Sequence, residues 1–170
     1  MTVIRRVSVL IVSFLCLVPA VAILAAPAPA TPEELVRLVY ADHQPWAGKA
    51  IAWEDSAVLA KYCDASLVEL FKKDGEYSAR MQEVGCLDGD PFLDAQDYDE
   101  KGITPPKIRK VKGKSGDLYE VTFTGLSDAW KNWNVRLQYD VRKTPEGWRI
   151  HDIIFKNGDS LRKIFACNQK

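Results

Sequence analysis

The sequence predicts an α+β domain in which helices come first and a curved antiparallel sheet of three to four strands follows, the helices covering one face so that the whole encloses a cone. Two changes of pattern carry that prediction. Between Leu35 and Phe71 apolar residues recur at three- and four-residue intervals, the period of a half-buried helix, whereas from Tyr119 to Val141 they alternate with polar ones, the period of a strand. Between the two regimes lies residues 85–99, where Gly85, Gly89 and Pro91 break both periods. Five aspartates, Asp88, Asp90, Asp94, Asp97 and Asp99, share that segment with Leu87, Phe92, Leu93 and Tyr98. Apolar anchors spaced among turn-forming carboxylates predict a pinned clasp, with Asp88, Asp90, Pro91, Gln96 and Asp97 as its structural residues.

Residues 1–30 read as a secretory signal peptide: Arg5 and Arg6, then an apolar run from Val7 to Val18, then small residues and prolines. The run is short for a membrane span. Ala22, Ala25 and Ala30 each end a small-residue region suited to cleavage. Leu15 stands before Cys16 where a lipid-attachment signal needs a small residue, so no lipid anchor is expected. Residues 31–170 then form a single α+β domain in the periplasm or outside the cell, with no membrane span after cleavage. That remainder has two more acidic than basic residues and no run of lysines or arginines, which argues against nucleic acid as a partner. It keeps Cys63, Cys86 and Cys167 in a compartment that favours one disulfide. Cys63 with Cys86 closes the shortest loop and is the first expectation, Cys167 being able to fold back on either.

Thr31-Pro32-Glu33-Glu34 is a helix start, with Thr31 as N-cap, Pro32 in the first turn and Glu34 completing a capping box. The helix ends near Gln44, before Pro45, with His43 read as a solvent-edge residue and Trp46 as an aromatic plug. From Trp53 to Lys73 the pattern is helical again, Asp64 capping a second segment, Asp74-Gly75 stopping it and Glu76 to Val84 adding a short helical piece. A short strand over 107–111 precedes the alternating strand around Val121. The next strand is the clearest: Trp133, Val135, Leu137, Tyr139 and Val141 are apolar, with polar residues at every position between. Thr144 to Gly147 turns the chain into a last strand, 148–155, and Leu161 to Ala166 adds a helical turn.

Together these features resemble a bacterial family of exported domains of unknown function that is similar to the nuclear-transport-factor-2-like superfamily. The residues that carry the likeness are the capped Thr31 helix, the run from Leu87 to Asp97, and the ending Gly147-Trp148-Arg149-Ile150-His151-Asp152-Ile153. The resemblance implies a cone-shaped fold and no assigned reaction. Some envelope domains of this type neutralise toxins as immunity proteins, and the chain reads as a non-catalytic binding or accessory module for a periplasmic protein or a small apolar ligand.

The rival reading is an isomerase- or lyase-like enzyme. Strict alternation puts Asp152 on the concave face with Trp148, Ile150 and Ile154, inside an apolar wall where a carboxylate can serve as general base, and Trp148, Asp152 and Tyr139 are the residues expected to line such a pocket. The plainer role for Asp152 is to accept hydrogen bonds from a helix start, from Trp133 or from Arg136. The clasp aspartates do not follow a calcium-loop spacing, His43 and His151 are the only histidines, and no phosphate-binding glycine loop or nucleophile elbow is present, so neither metal nor cofactor is expected. Trp46, Trp53 and Trp130 fall in connections, where a partly exposed aromatic serves to anchor a protein partner.

Overall fold

In a computed structural model of the chain, residues 28–96, 102–113, 116–125 and 134–169 are described. The signal-peptide reading of residues 1–27, and Asp97, Asp99, Trp130 and Trp133, lie outside them. The described residues form an α+β arrangement with one open four-stranded antiparallel sheet, β1 (Lys107–Lys112), β2 (Asp117–Thr124), β3 (Asn134–Thr144) and β4 (Gly147–Ile154), in the order β1-β2-β3-β4. Four α-helices accompany it among the described residues: α1 (Pro32–Asp42), α2 (Ser56–Leu59), α3 (Ala65–Met81) and α4 (Leu161–Ile164). None is long and apolar enough to cross a membrane.

The helix starts follow the capping chemistry of the sequence. Thr31 Oγ1 accepts from Glu34 N–H while the Glu34 carboxylate accepts from the Thr31 N–H, and Asp64 Oδ1 accepts from Leu67 N–H at the start of α3. α1 buries Leu35, Val36, Val39 and Tyr40. The Tyr40 ring stands edge-on to Phe123 of β2, 5.8 Å between centroids, and to Tyr139 of β3 at 6.3 Å. Along β3 the alternation holds: Val135, Leu137, Tyr139 and Val141 are buried, and Asn134, Arg136 and Arg142 are exposed. Val121 and Phe123 of β2, and Ile150 and Ile153 of β4, belong to the same apolar cluster.

Three expectations are corrected by the structure. α3 does not stop at Asp74-Gly75 but runs on to Met81, because Asp74 turns inward instead of terminating the helix: its Oδ1 accepts from Cys86 N–H at 2.7 Å and its Oδ2 from Leu87 N–H. Gly85 permits this approach, since a Cβ there would lie 2.5 Å from the Asp74 carboxylate. His43 is not at the solvent edge but 1 % exposed. Finally, the cysteines at disulfide distance are Cys86 and Cys167, with Cα atoms 6.0 Å apart, while Cys63 is a buried free thiol. Cys63 opens the parallel bridge to Ile150 that covers the free edge of β4, which holds it away from the clasp.

Candidate functional site

The clasp is built around one carboxylate. Asp90 Oδ1 accepts from Phe92 N–H at 2.8 Å, the Asp90 N–H donates to the Ala95 carbonyl at 2.7 Å, and Gln96 Nε2 donates to Asp88 Oδ2 at 2.6 Å. This closes a tight loop that drives Pro91, Phe92 and Leu93 into the interior. Asp90 Oδ2 lies 2.5 Å from His43 Nε2. The Ile51 N–H donates to His43 Nδ1 at 2.9 Å, so the ring carries its proton on Nε2 and donates it to Asp90. A neutral imidazole thus spends both nitrogens on holding the end of α1, the backbone at Ile51 and the clasp together.

Beside this pair the Tyr40 hydroxyl donates to the Phe92 carbonyl at 3.1 Å, and it accepts from the Tyr139 hydroxyl at 2.9 Å. Burial raises both phenols far above their ordinary value, so they act only as neutral hydrogen-bonding groups. Tyr139 is fully buried, its ring filling the inner face of the sheet.

Asp152 does not join it there. A register shift between Asp140 and Val141 leaves His151 as a bulge, so Ile150 pairs with Val141 and Asp152 with Asp140. The extra residue exchanges the faces of everything after it: Ile153, not Asp152, is fully buried, and Asp152 lies on the side of the sheet away from the core. Its Oδ1 accepts from Ile153 N–H and, at 3.2 Å, from Arg162 N–H in the first turn of α4, where the N-cap Ser160 makes no side-chain capping hydrogen bond. Asp152 therefore supplies from β4 the cap that Ser160 does not. Asp152→Ala is expected to cost about 1–2 kcal/mol and Asp152→Asn, which keeps the accepting oxygen, less than about 0.5 kcal/mol, as read from urea denaturation midpoints. Trp148 sits elsewhere again, its indole N–H donating to the Ala30 carbonyl at 2.9 Å and Lys143 lying over its ring. The three residues expected to share a pocket are thus placed at three separate points.

Two polar clusters escape sequence reasoning. The bulge aims His151 at the start of α3, where its Nδ1 lies 2.6 Å from Asp64 Oδ2, while Arg162 Nη2 reaches Ser66 Oγ at 2.5 Å and Asp64 Oδ1 at 3.4 Å. On β2, Glu120 is 1 % exposed although it points away from the core, because Arg109 of β1 and Arg136 of β3 close over it with Nε–H groups each 2.6 Å from its oxygens. Cross-strand charge pairing is the signal that would have found it, once the registers of Arg109 and Gln138 opposite Glu120 are known.

Burial alone would push the Glu120 and Asp64 carboxyls up. Hydrogen bonds from Arg136, Arg109 and Gln138 in the first case, and from Ser66, His151 and Leu67 in the second, outweigh it and hold both below their ordinary values of 4.5 and 3.8. A carboxyl depressed by folding contributes stability that is complete above its ordinary value and is lost as pH falls through the lower folded one. Stability contributed by these groups is therefore expected to be flat at neutral pH and to fall below about pH 4. Glu120→Gln should make that acid limb shallower in a pH series of urea melts.

Next to the clasp lies an open cleft of about 750 Å³. Leu87, Pro91, Phe155 and Ile164 give it apolar walls, and the carboxylates of Asp88, Asp94 and Asp159 rim it. Among the described residues no three His, Cys, Asp or Glu side chains are placed to hold a metal ion, and no buried side-chain nitrogen or oxygen lacks a hydrogen-bond partner. Comparison with family models, with characterised proteins and with solved structures finds no match.

Proposed function

We propose that the chain is an exported, non-catalytic binding module, a cone-shaped domain of nuclear-transport-factor-2-like design whose N-terminal helices cover a curved sheet. Residues 1–30 serve as its signal peptide, and it takes a protein segment or a small apolar ligand in the envelope, in the manner of an immunity protein. One observation carries this reading above the enzymatic one. The inner face of the sheet, where an isomerase of such design keeps its pocket, is filled by Leu137, Tyr139, Ile150 and Ile153, each fully buried, and the carboxylate nominated as base is turned to the other side.

What remains open is the cleft beside the clasp. Its apolar walls supply area for an anchor side chain, and its aspartate rim favours a segment that also carries lysine or arginine. A photo-crosslinking residue placed at Ala95, in the cleft, is expected to trap one discrete partner in the envelope, whereas the same residue at Lys112, on the sheet edge, is not. The same crosslinks from both positions, or none from Ala95, would contradict the assignment.

A further inference from the structure

The registers of the sheet bring together cations that the sequence keeps apart. Lys107 of β1 pairs with Thr122 of β2, and Thr122 with Arg136 of β3, so the three form one row across the sheet. Thr122 and Arg136 share the parity of Glu120 and Gln138, and the row therefore lies on the face opposite the buried Val121, Leu137 and Ile153. Lys156, two residues beyond the end of β4, borders the same cavity of about 750 Å³, together with Thr104, Thr124 and Asn134. Among the described residues its lining contains three cations and no carboxylate.

Glu120, the acid that pairs with Arg136, does not neutralise the row. Its buried carboxylate is already shared between the guanidiniums of Arg109 and Arg136, two positive charges against one negative. Lys107 and Lys156 are exposed and, among the described residues, make no ion pair. Since residues 31–170 carry a small acidic excess, a concave lining with three cations and, among the described residues, no carboxylate is not the charge balance of the chain at large.

We propose that this cavity is a phosphate-binding site, made by the juxtaposition of Lys107, Arg136 and Lys156 around Thr122, which takes the phosphate group of a soluble phosphoester or of a lipid headgroup. A phosphate monoester presents up to two charges and three acceptor oxygens, whereas a monocarboxylate presents one charge and two. Two lysine point charges, an arginine and a threonine hydroxyl match the former. The volume is that of a small-ligand site. The site does not depend on the clasp cleft, Lys156 being the one cation that borders both.

The test is an amide NMR titration of the chain with inorganic phosphate, with sodium chloride at matched ionic strength as the reference. Saturable shifts are expected at Lys107, Thr122 and Arg136 in phosphate alone. Lys107→Gln should weaken binding about tenfold, and Lys107→Gln with Lys156→Gln should abolish it, because each removes one charge-assisted contact. Both lysines are exposed, so unchanged melting temperatures are expected for the variants. Sedimentation with phosphatidic acid vesicles but not phosphatidylcholine vesicles, lost in the double variant, assigns the headgroup; saturable phosphate binding without sedimentation assigns a soluble ligand. Shifts that follow ionic strength alone, or that survive unchanged in the double variant, would overturn the site.

Discussion

Breaking the Cys86–Cys167 link is expected to remove about 4 kcal/mol of stability. The two residues are 81 apart in sequence, and a cross-link over a loop of that size withdraws roughly 4.5 kcal/mol of chain entropy from the unfolded state at 25 °C. What it joins makes the loss local as well as global. Cys86 opens the clasp directly after Asp74 has captured its N–H, and Cys167 lies in the 3₁₀ turn Phe165–Gln169, whose Phe165 ring packs on Phe71 of α3 at 4.9 Å. Without the link the terminal turn can fray from α3 and the clasp loses its base. Comparing Cys86→Ser/Cys167→Ser with the oxidised chain lacking residues 1–30 should show a melting temperature lower by roughly 10–15 °C. The same preparation checks the pairing. Burial, reinforced by the neighbouring Asp64 charge, pushes the Cys63 thiol up, so a native sample should resist alkylation and a denatured, unreduced one should titrate a single thiol. Three thiols would refute the link.

Asp90→Ala should be nearly as damaging, at about 3–5 kcal/mol. The substitution leaves two donors in the interior without acceptors, His43 Nε2–H and Phe92 N–H, and each orphaned buried donor costs about 1–3 kcal/mol. Asp90→Asn retains one carbonyl oxygen but turns an NH₂ group toward the second donor, and is expected to fall between the wild type and the alanine variant. Hydrogen exchange would locate the effect: the Phe92 and Ala95 amides should lose protection in Asp90→Ala before those of β3 do. Equal loss everywhere would mean that the clasp unfolds only with the whole structure.

Where local chemistry decides an element, it was readable in advance. The Thr31 capping box, the Asp64 cap and the β3 alternation each depend on residues within a few positions of one another, and each is found where the pattern puts it. Features decided by distant partners were not. Nothing near His43 announces Asp90, since the pair is closed only after α1 and the clasp have met. Asp74-Gly75 has the composition of a helix stop, yet the amides that Asp74 serves come from the next segment. The bulge was hidden for a different reason. His151-Asp152 is a polar pair inside an apolar strand, and alternation could be continued through it without a visible break, which moved Asp152 to the wrong face. The row of Lys107, Thr122 and Arg136 likewise requires the register of three strands before it exists at all.

An apolar molecule can meet this protein in one of two places, the cleft beside the clasp or the inside of the sheet. Methyl NMR of the chain titrated with a neutral probe such as 2-naphthol decides between them. Shifts confined to Leu87 and Ile164, with Leu137, Ile150 and Ile153 unmoved, are the predicted result. Saturable shifts at Leu137, Ile150 and Ile153 would show that the inner face opens to ligand, and would contradict the closed interior on which the binding-module reading rests.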